Sequence, residues 1–253
     1  MRLRPIEADG LSWKLLRELH GRSGAENMAL DAALLDRADC TGEAFLRLYR
    51  FDPPCLSLGR NEPTARYDRS AIARLALDVV RRPTGGGAVW HEHEVTYAVA
   101  APIAMFGGLR AAYYTIHASL VAALRSLGAH AALALHRPPP SPTVFQQPCS
   151  CFANPVGGEV LVAGRKLVGS AQVRKRNAFL QHGSILLDGS QEIVRRVSRG
   201  SSVASRETTL SSVLRRRVSF DEVADAIVAA WDARATSTTS PLDLAPLAAA
   251  VKS

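Results

Sequence analysis

Arg81-Arg82-Pro83-Thr84-Gly85-Gly86-Gly87-Ala88-Val89-Trp90-His91 is the most informative segment of the chain. Three consecutive glycines lose much backbone entropy on folding, so such a run marks unusual dihedrals or a close backbone approach to a ligand. Without side chains it also exposes N–H groups that can face a phosphate or a carbonyl oxygen. No Gly-Lys-Ser/Thr follows, so the run is not a P-loop, and its spacing is not a G-x-G-x-x-G dinucleotide fingerprint. Taken alone, it is equally compatible with a tight turn between strands.

Outward from this run the chain alternates irregularly between strand and helix patterns. Gly24 to Asp36 reads as a helix with Met28, Leu30, Leu34 and Leu35 mostly on one side. Ala44 to Tyr49 alternates as a strand and stops at Pro53-Pro54, and Cys55 to Leu58 is a second short strand. Ile72 to Leu77 looks helical, and Asp78 to Arg82 leads into the glycines. Val95 to Ala101 is a strand, and Ala111 to Leu127 a helix that stops at Gly128. His136 to Pro148 holds Pro138, Pro139, Pro140, Pro142 and Pro148 and reads as an irregular loop. Glu159 to Ala163 and Lys166 to Ala171 form a hairpin around Gly164-Arg165. Phe179 to Leu187 includes a strand, and Phe220 to Trp231 is an amphipathic helix with Ser219 as N-cap. The order implies an α+β fold, a mixed β-sheet flanked by helices, rather than a doubly wound parallel sheet. One domain is expected over residues 1–235, with a Ser/Thr/Pro/Ala-rich tail over 236–253.

The 253 residues carry a formal charge of +8. The positive residues come in pairs and triples, such as Arg174-Lys175-Arg176, Arg195-Arg196 and Arg215-Arg216-Arg217. Such a balance steers acidic partners. Aromatics are 6% of the chain and do not interleave with the clusters, so nucleic acid is disfavoured against an acidic protein. Cys40, Cys55, Cys149 and Cys151 are too few for a disulfide framework in a chain this long. Met1 to Glu7 lacks the apolar run of a signal peptide, and no apolar stretch suggests a membrane span. A reduced, cytoplasmic protein with no membrane partner is expected.

Two further segments could carry chemistry. In Gly164–Ser184 (GRKLVGSAQVRKRNAFLQHGS), Lys166 starts a strand just after a turn, placed to aim an amine into a cleft, although a strand lysine is ordinarily a solvated surface residue. His182 in the same segment could be a base or a structural histidine. In Pro148-Cys149-Ser150-Cys151-Phe152 a loop cysteine near a lysine can be a nucleophile, since positive charge favours the thiolate. Two small buried side chains or a metal pair would also account for the spacing. It does not resemble a structural zinc knuckle, and a disulfide two residues apart would be strained.

Together these segments resemble the biotin/lipoate protein ligase superfamily, in its lipoate-ligase and octanoyltransferase branch, over roughly residues 12 to 232. The resemblance lies in the helix Ala25-Glu26-Asn27-Met28-Ala29-Leu30-Asp31, the strand end Pro53 to Gly59, and the glycine run ending Ala88-Val89-Trp90-His91. Glu94-Val95-Thr96-Tyr97, Gly164 to Gln172 and Gln181-His182-Gly183-Ser184 complete it. Cys151-Phe152, shortly before Gly-Arg-Lys, resembles the cysteine-dependent octanoyltransferases that are lipoate-ligase-like in sequence. Glu92 stands where many relatives have Asp, and Asn61-Glu62 where a glutamine is common.

The resemblance implies the biotin/lipoate ligase catalytic-domain fold, with an acyl pocket between the glycine run and the Lys166 hairpin. It implies Cys151 and Lys166 as catalytic residues, and Arg82, Gly85, Gly86, Gly87, His91, Gly169, Ser170 and Ala171 as substrate-binding residues, with no metal and no cofactor. The implied reaction moves octanoyl from octanoyl-acyl carrier protein, through a Cys151 thioester, to a lipoyl-domain lysine. Acceptors of that kind are glycine cleavage H protein or a 2-oxoacid dehydrogenase E2. Transfer between two lipoyl domains, ATP-dependent ligation and a non-catalytic binding role are the alternatives. The residues leave open the donor, the acyl length, the oligomeric state, and whether Lys166 is a base or an oxyanion donor.

Overall fold

Every residue of Ala44–Tyr49 (β3) is buried, so this strand is covered on both faces. The structure, a computed structural model, describes residues 2–8, 11–135, 152, 157–199 and 207–237. β3 lies inside a six-stranded sheet whose order is β1 (Arg2–Ala8), β2 (Leu11–Arg17), β3, β7 (Glu94–Pro102), β12 (Ala178–Leu186) and β11 (Val168–Lys175). Neighbours are antiparallel except β2 and β3. Leu46 and Leu48 point to one face, where Val99 and Phe179 join them against α3 (Leu109–Ser126) and α6 (Phe220–Ser237). Phe45 and Tyr49 point to the other, against Met28, Leu34, Leu35 and Ala38 of α1 (Gly24–Thr41).

A second sheet, in the order β5 (Asp78–Arg81), β4 (Cys55–Leu58), β6 (Val89–His91), stands over the α1 face. Its outer side, with Leu56, Leu58 and Trp90, is roofed by Ala71 and Ile72 of α2 (Arg69–Arg74) and by Val194 and Val197 of α4 (Glu192–Val197). Period-2 alternation turns Ser57, Val89 and His91 inward. A third small sheet joins β8 (Ala131–Leu133), β9 (Val160–Val162) and β10 (Arg165–Lys166), and α5 (Leu210–Leu214) precedes α6.

The mixed α+β architecture agrees with the sequence reading, and several element bounds move for identifiable reasons. The first helix runs five residues beyond Asp36 to Thr41 and stops where Gly42 adopts φ 74°. α2 starts at Arg69 rather than Ile72, because the Asp68 carboxylate caps the amides of Ser70 and Ala71. The hairpin turns at Ala163-Gly164, not Gly164-Arg165, with both residues left-handed (φ 49° and 74°) as a type I′ turn requires. Gly128 (φ 95°) follows the end of α3 as expected, and the Ser219 hydroxyl accepts the Glu222 amide at 3.1 Å. β1 and β2 were not anticipated. The proline loop, Cys149, Cys151 and residues 238–253 lie outside the described residues.

Candidate active site

Sheet register builds the floor of a cavity between the two sheets. Tyr49, Thr96, Ser184 and Gly169 are paired across β3, β7, β12 and β11. Two residues along, on the same face, lies the row Arg47, Ala98, His182, Ala171. Ser57, Arg82, Val89 and His91 from the small sheet and the strand end after it form the roof, and Met28 and Phe51 close the side. The space between these walls, part of it open to solvent, is about 350 Å³.

Most of the polar side chains on these walls are engaged with the protein itself. In the roof, His91 Nε2 is 2.7 Å from Ser57 Oγ, and its Nδ1 is 2.6 Å from Glu94 Oε1. Thr96 donates to the same Glu94 oxygen, and Phe51 stacks on the His91 ring at 4.1 Å. In the floor, His182 Nδ1 is 2.8 Å from Asp31 Oδ2 and its Nε2 is 2.6 Å from Thr84 Oγ1. Asp31 also takes Arg47 at 2.7 Å and the Tyr49 hydroxyl at 2.9 Å, while Arg47 reaches Glu18 at 2.6 Å. Burial alone would raise the Asp31 carboxyl; His182 and the Arg47 guanidinium outweigh it and hold it below the carboxylate range. Burial, with Asp31 next, drives the Tyr49 phenol well above its ordinary value, so it stays a neutral donor. With its polar groups spent on one another, the cavity offers a ligand mainly carbon surface and peptide groups.

The glycine run acts through its carbonyls as well as through its lack of side chains. Arg82, buried, donates to Gly85 O at 2.7 Å, to Gly87 O at 2.7 Å and to Ser57 O at 3.1 Å. Two carbonyls three and five residues ahead can converge on one guanidinium because no side chain intervenes. A Cβ on Gly59 would lie 2.0 Å from Gly86 O, so the neighbouring strand end is moulded against the run.

Of the sequence-predicted residues, Arg82, His91, Gly169, Ser170 and Ala171 line the cavity, whereas Gly85, Gly86 and Gly87 stand behind it, Gly85 and Gly87 holding Arg82 through their carbonyls. Ser170 lies in the row between the two floor rows. Its hydroxyl turns to the α3 side, 2.7 Å from the Tyr97 hydroxyl and 2.8 Å from His117 Nε2. Lys166 is not on the cavity wall and not solvated. Its ammonium is buried, bonded to buried Glu159 at 2.5 Å and 5.5 Å from the centre of the Phe152 ring. Phe152 in turn packs on Gly169, where a Cβ would come within 2.9 Å of it. Lys166 thus sits one aromatic ring away from the cavity floor. Cys151, the preceding residue, lies outside the described residues.

Sequence reasoning weighed His182 without choosing it and passed over Asp31, Ser57, Thr84, Glu94 and Glu159. A signal was present for Asp31. Arg47 in the apolar strand AFLRLY needed a buried acid, and Asp31 continues the buried side of the helix one turn after Met28 and Asn27. Among the described residues, no group of His, Cys, Asp and Glu could hold a metal ion, and no helix is long and apolar enough to cross a membrane.

Residues 23–232 match the family described as lipoyl protein ligase A/B catalytic domain. Octanoyltransferase LipM of Kyrpidia tusciae is 40% identical over 228 residues, covering 87% of this chain and 82% of that protein. Its counterpart in Carboxydothermus hydrogenoformans is 37% identical over 210 residues, covering 81% and 74%. Among solved structures, a lipoate-protein ligase A bound with ATP gives a TM-score of 0.69 at 22% identity, covering 87% of this chain and 84% of that one. Protein Ta0514 of T. acidophilum with bound lipoic acid gives 0.68 at 20% identity, with coverage of 87% and 84%. Those two likenesses concern the fold, which is that of the lipoate-protein ligase catalytic domain. With a family match across most of its length and relatives at 40% and 37% identity, the chain belongs to the lipoyl protein ligase A/B catalytic-domain family and is an acyltransferase.

Proposed function

We propose that the protein is an octanoyltransferase of lipoate biosynthesis that carries octanoyl from acyl carrier protein, through a Cys151 thioester, to a lysine of a lipoyl-domain protein. The observation that carries the reading is the buried Lys166–Glu159 pair beside Phe152, the residue that follows Cys151. A fixed ammonium beside a thiol favours the thiolate and can donate to an oxyanion. The Cys151 thiolate attacks the donor thioester carbonyl, and the tetrahedral intermediate expels the carrier thiolate, which is then protonated. The acceptor lysine, as a neutral amine, attacks the new thioester. Loss of its proton and expulsion of the Cys151 thiolate leave an amide. Exchange of one thioester for another is close to isoenergetic and amide formation is downhill, so no ATP is consumed. The carbon-lined cavity suits an alkyl chain. In this reading Arg82, with Gly85, Gly86 and Gly87 behind it, and His91, Gly169, Ser170 and Ala171 bind the acyl group. The acceptor is a protein such as glycine cleavage H protein or a 2-oxoacid dehydrogenase E2.

Three donors test it: octanoyl-acyl carrier protein, an octanoylated lipoyl domain, and free octanoate with ATP. The first should label an apo lipoyl domain with ATP and magnesium absent. Without acceptor, intact-mass and peptide analysis should find one octanoyl group on Cys151. Cys151→Ala should abolish transfer and Cys149→Ala should leave it largely intact. An active Cys151→Ala enzyme, or a strict need for ATP, would overturn the covalent mechanism.

A further inference from the structure

Helices α2 and α4 lie side by side on the outer side of the small sheet, tied by the bond from the Asp68 amide to Val197 O at 2.8 Å and from the Arg199 amide to Arg66 O at 2.7 Å. Their inner sides are apolar. Their outer sides, with the loop before α2, carry Arg60, Arg69, Arg74, Arg195, Arg196 and Arg199, all exposed and all arginine. The acids of this surface are committed: Asp68 caps α2, Glu192 is held by Arg195, and Glu62 is buried against the Tyr67 hydroxyl and the Gly59 amide. Among the described residues, no carboxylate lies within ion-pair distance of Arg60, Arg69, Arg74, Arg196 or Arg199. The other basic triples differ, since Lys175 pairs with Asp36 and Arg216 with Glu222.

This surface is also joined to the site. The sheet beneath it supplies Ser57, Val89 and His91 to the cavity roof. Gln191, at the start of α4, exchanges two hydrogen bonds with the Trp90 backbone, next to His91. The Arg60 amide bonds to Thr84 O in the glycine run at 2.8 Å.

We propose that the arginine face of α2 and α4 docks the acidic protein that delivers the acyl group, and this rests on the donor reading given above. Guanidinium groups recognise carboxylates and phosphates in a planar two-pronged geometry, and a carrier that presents its acyl group on a phosphate-bearing arm offers both. Rim charges of this kind govern encounter and salt dependence more than turnover.

The test uses the full chain with Arg69→Glu/Arg74→Glu/Arg196→Glu, and with the milder Gln series. With octanoyl-acyl carrier protein as donor, KM should rise about tenfold with kcat nearly unchanged, and the salt dependence of kcat/KM should flatten. With octanoyl-pantetheine, a small donor lacking protein and phosphate, the variants should match the parent, which also shows that they fold. An unchanged KM for the carrier donor would overturn the assignment. So would a rise confined to the KM of the acceptor lipoyl domain, or a loss of RNA or anionic-vesicle binding with donor KM unmoved. If the parent enzyme uses the carrier donor and the variants do as well, only the docking face fails. If the parent cannot use it, the donor reading itself fails.

Discussion

Lys166 is 1% exposed and its partner Glu159 is 2% exposed, and burial of such a pair is costly enough to ask what it does. Breaking one member of a buried ion pair strands the other charge, whereas replacing both by apolar groups of similar volume is often neutral or stabilising. Glu159→Gln should therefore lower the unfolding free energy by about 3–5 kcal/mol in urea titrations and slow the acyl loading of Cys151. Glu159→Leu/Lys166→Met should regain most of that stability and still transfer no acyl group. A double variant that remained active would assign the pair to packing alone. Glu18 is 29 residues from Arg47 and Asp31 is 16, while Glu159 is seven from Lys166, and of the three only Asp31 continued a periodic pattern that matched it to its cation. Arg82, His91 and Lys166 were legible because each sits in a distinctive run; Glu159 and Thr84 were not, because they are ordinary polar residues until the sheets bring them to their partners.

Two turns show what backbone geometry demands of single residues, the first of them against the cavity. The contact between Gly59 and Gly86 O is backbone against backbone, so nothing flexible can yield to a new methyl group. Gly59→Ala should shift the glycine run away from Arg82, destabilising the fold by about 1–3 kcal/mol and raising KM for the donor, as thermal unfolding and steady-state kinetics would report. The β9–β10 turn places Ala163 at φ 49°, a conformation that an alanine adopts at a cost and an asparagine tolerates. Ala163→Asn should stabilise the protein by roughly 1 kcal/mol with kcat unchanged, because residue 163 is exposed and its turn stays as it is. A loss of stability would mean that the side chain, not the backbone, matters at this turn. Element types were readable from periodicity, but the turn centre was misplaced by one residue. A Gly-Arg pair and an Ala-Gly pair present the same single glycine, and pairing of Val162 with Arg165 decides which of them is the turn.

The assembled molecule also has a pH response that no single element predicts. His117, on α3, is bonded through Nδ1 to Gly158 O at 2.6 Å and through Nε2 to Ser170, so it joins the helix layer to the site. Burial pushes its pKa from 6.5 down to about 4, with the Gly158 carbonyl opposing and Lys166 assisting. In the unfolded chain the imidazole binds a proton near its ordinary value, whereas the folded protein does not until about pH 4. Stability from this group is thus fully present above about pH 6.5 and is lost as the pH falls towards 4, by on the order of 3 kcal/mol in total. Thermal unfolding between those pH values should show the loss, and His117→Leu should flatten it. A parent slope no steeper than that of the variant would mean that His117 is charged in the folded state.

The sequence by itself determined the fold class, the order of the main strands and helices, and the family. Those features are carried by local periodicity and by short runs of special residues, which act over a few positions of the chain. Only the tertiary structure decided that the three glycines stand behind Arg82, that the Ser170 hydroxyl faces His117, and that Lys166 is a buried, paired cation. Each of these depends on strand register, because a side chain moves to the opposite face of a sheet with every residue. Register is a property of the partners a strand finds, here from β3 at residue 44 to β12 at residue 186, and no single strand encodes it.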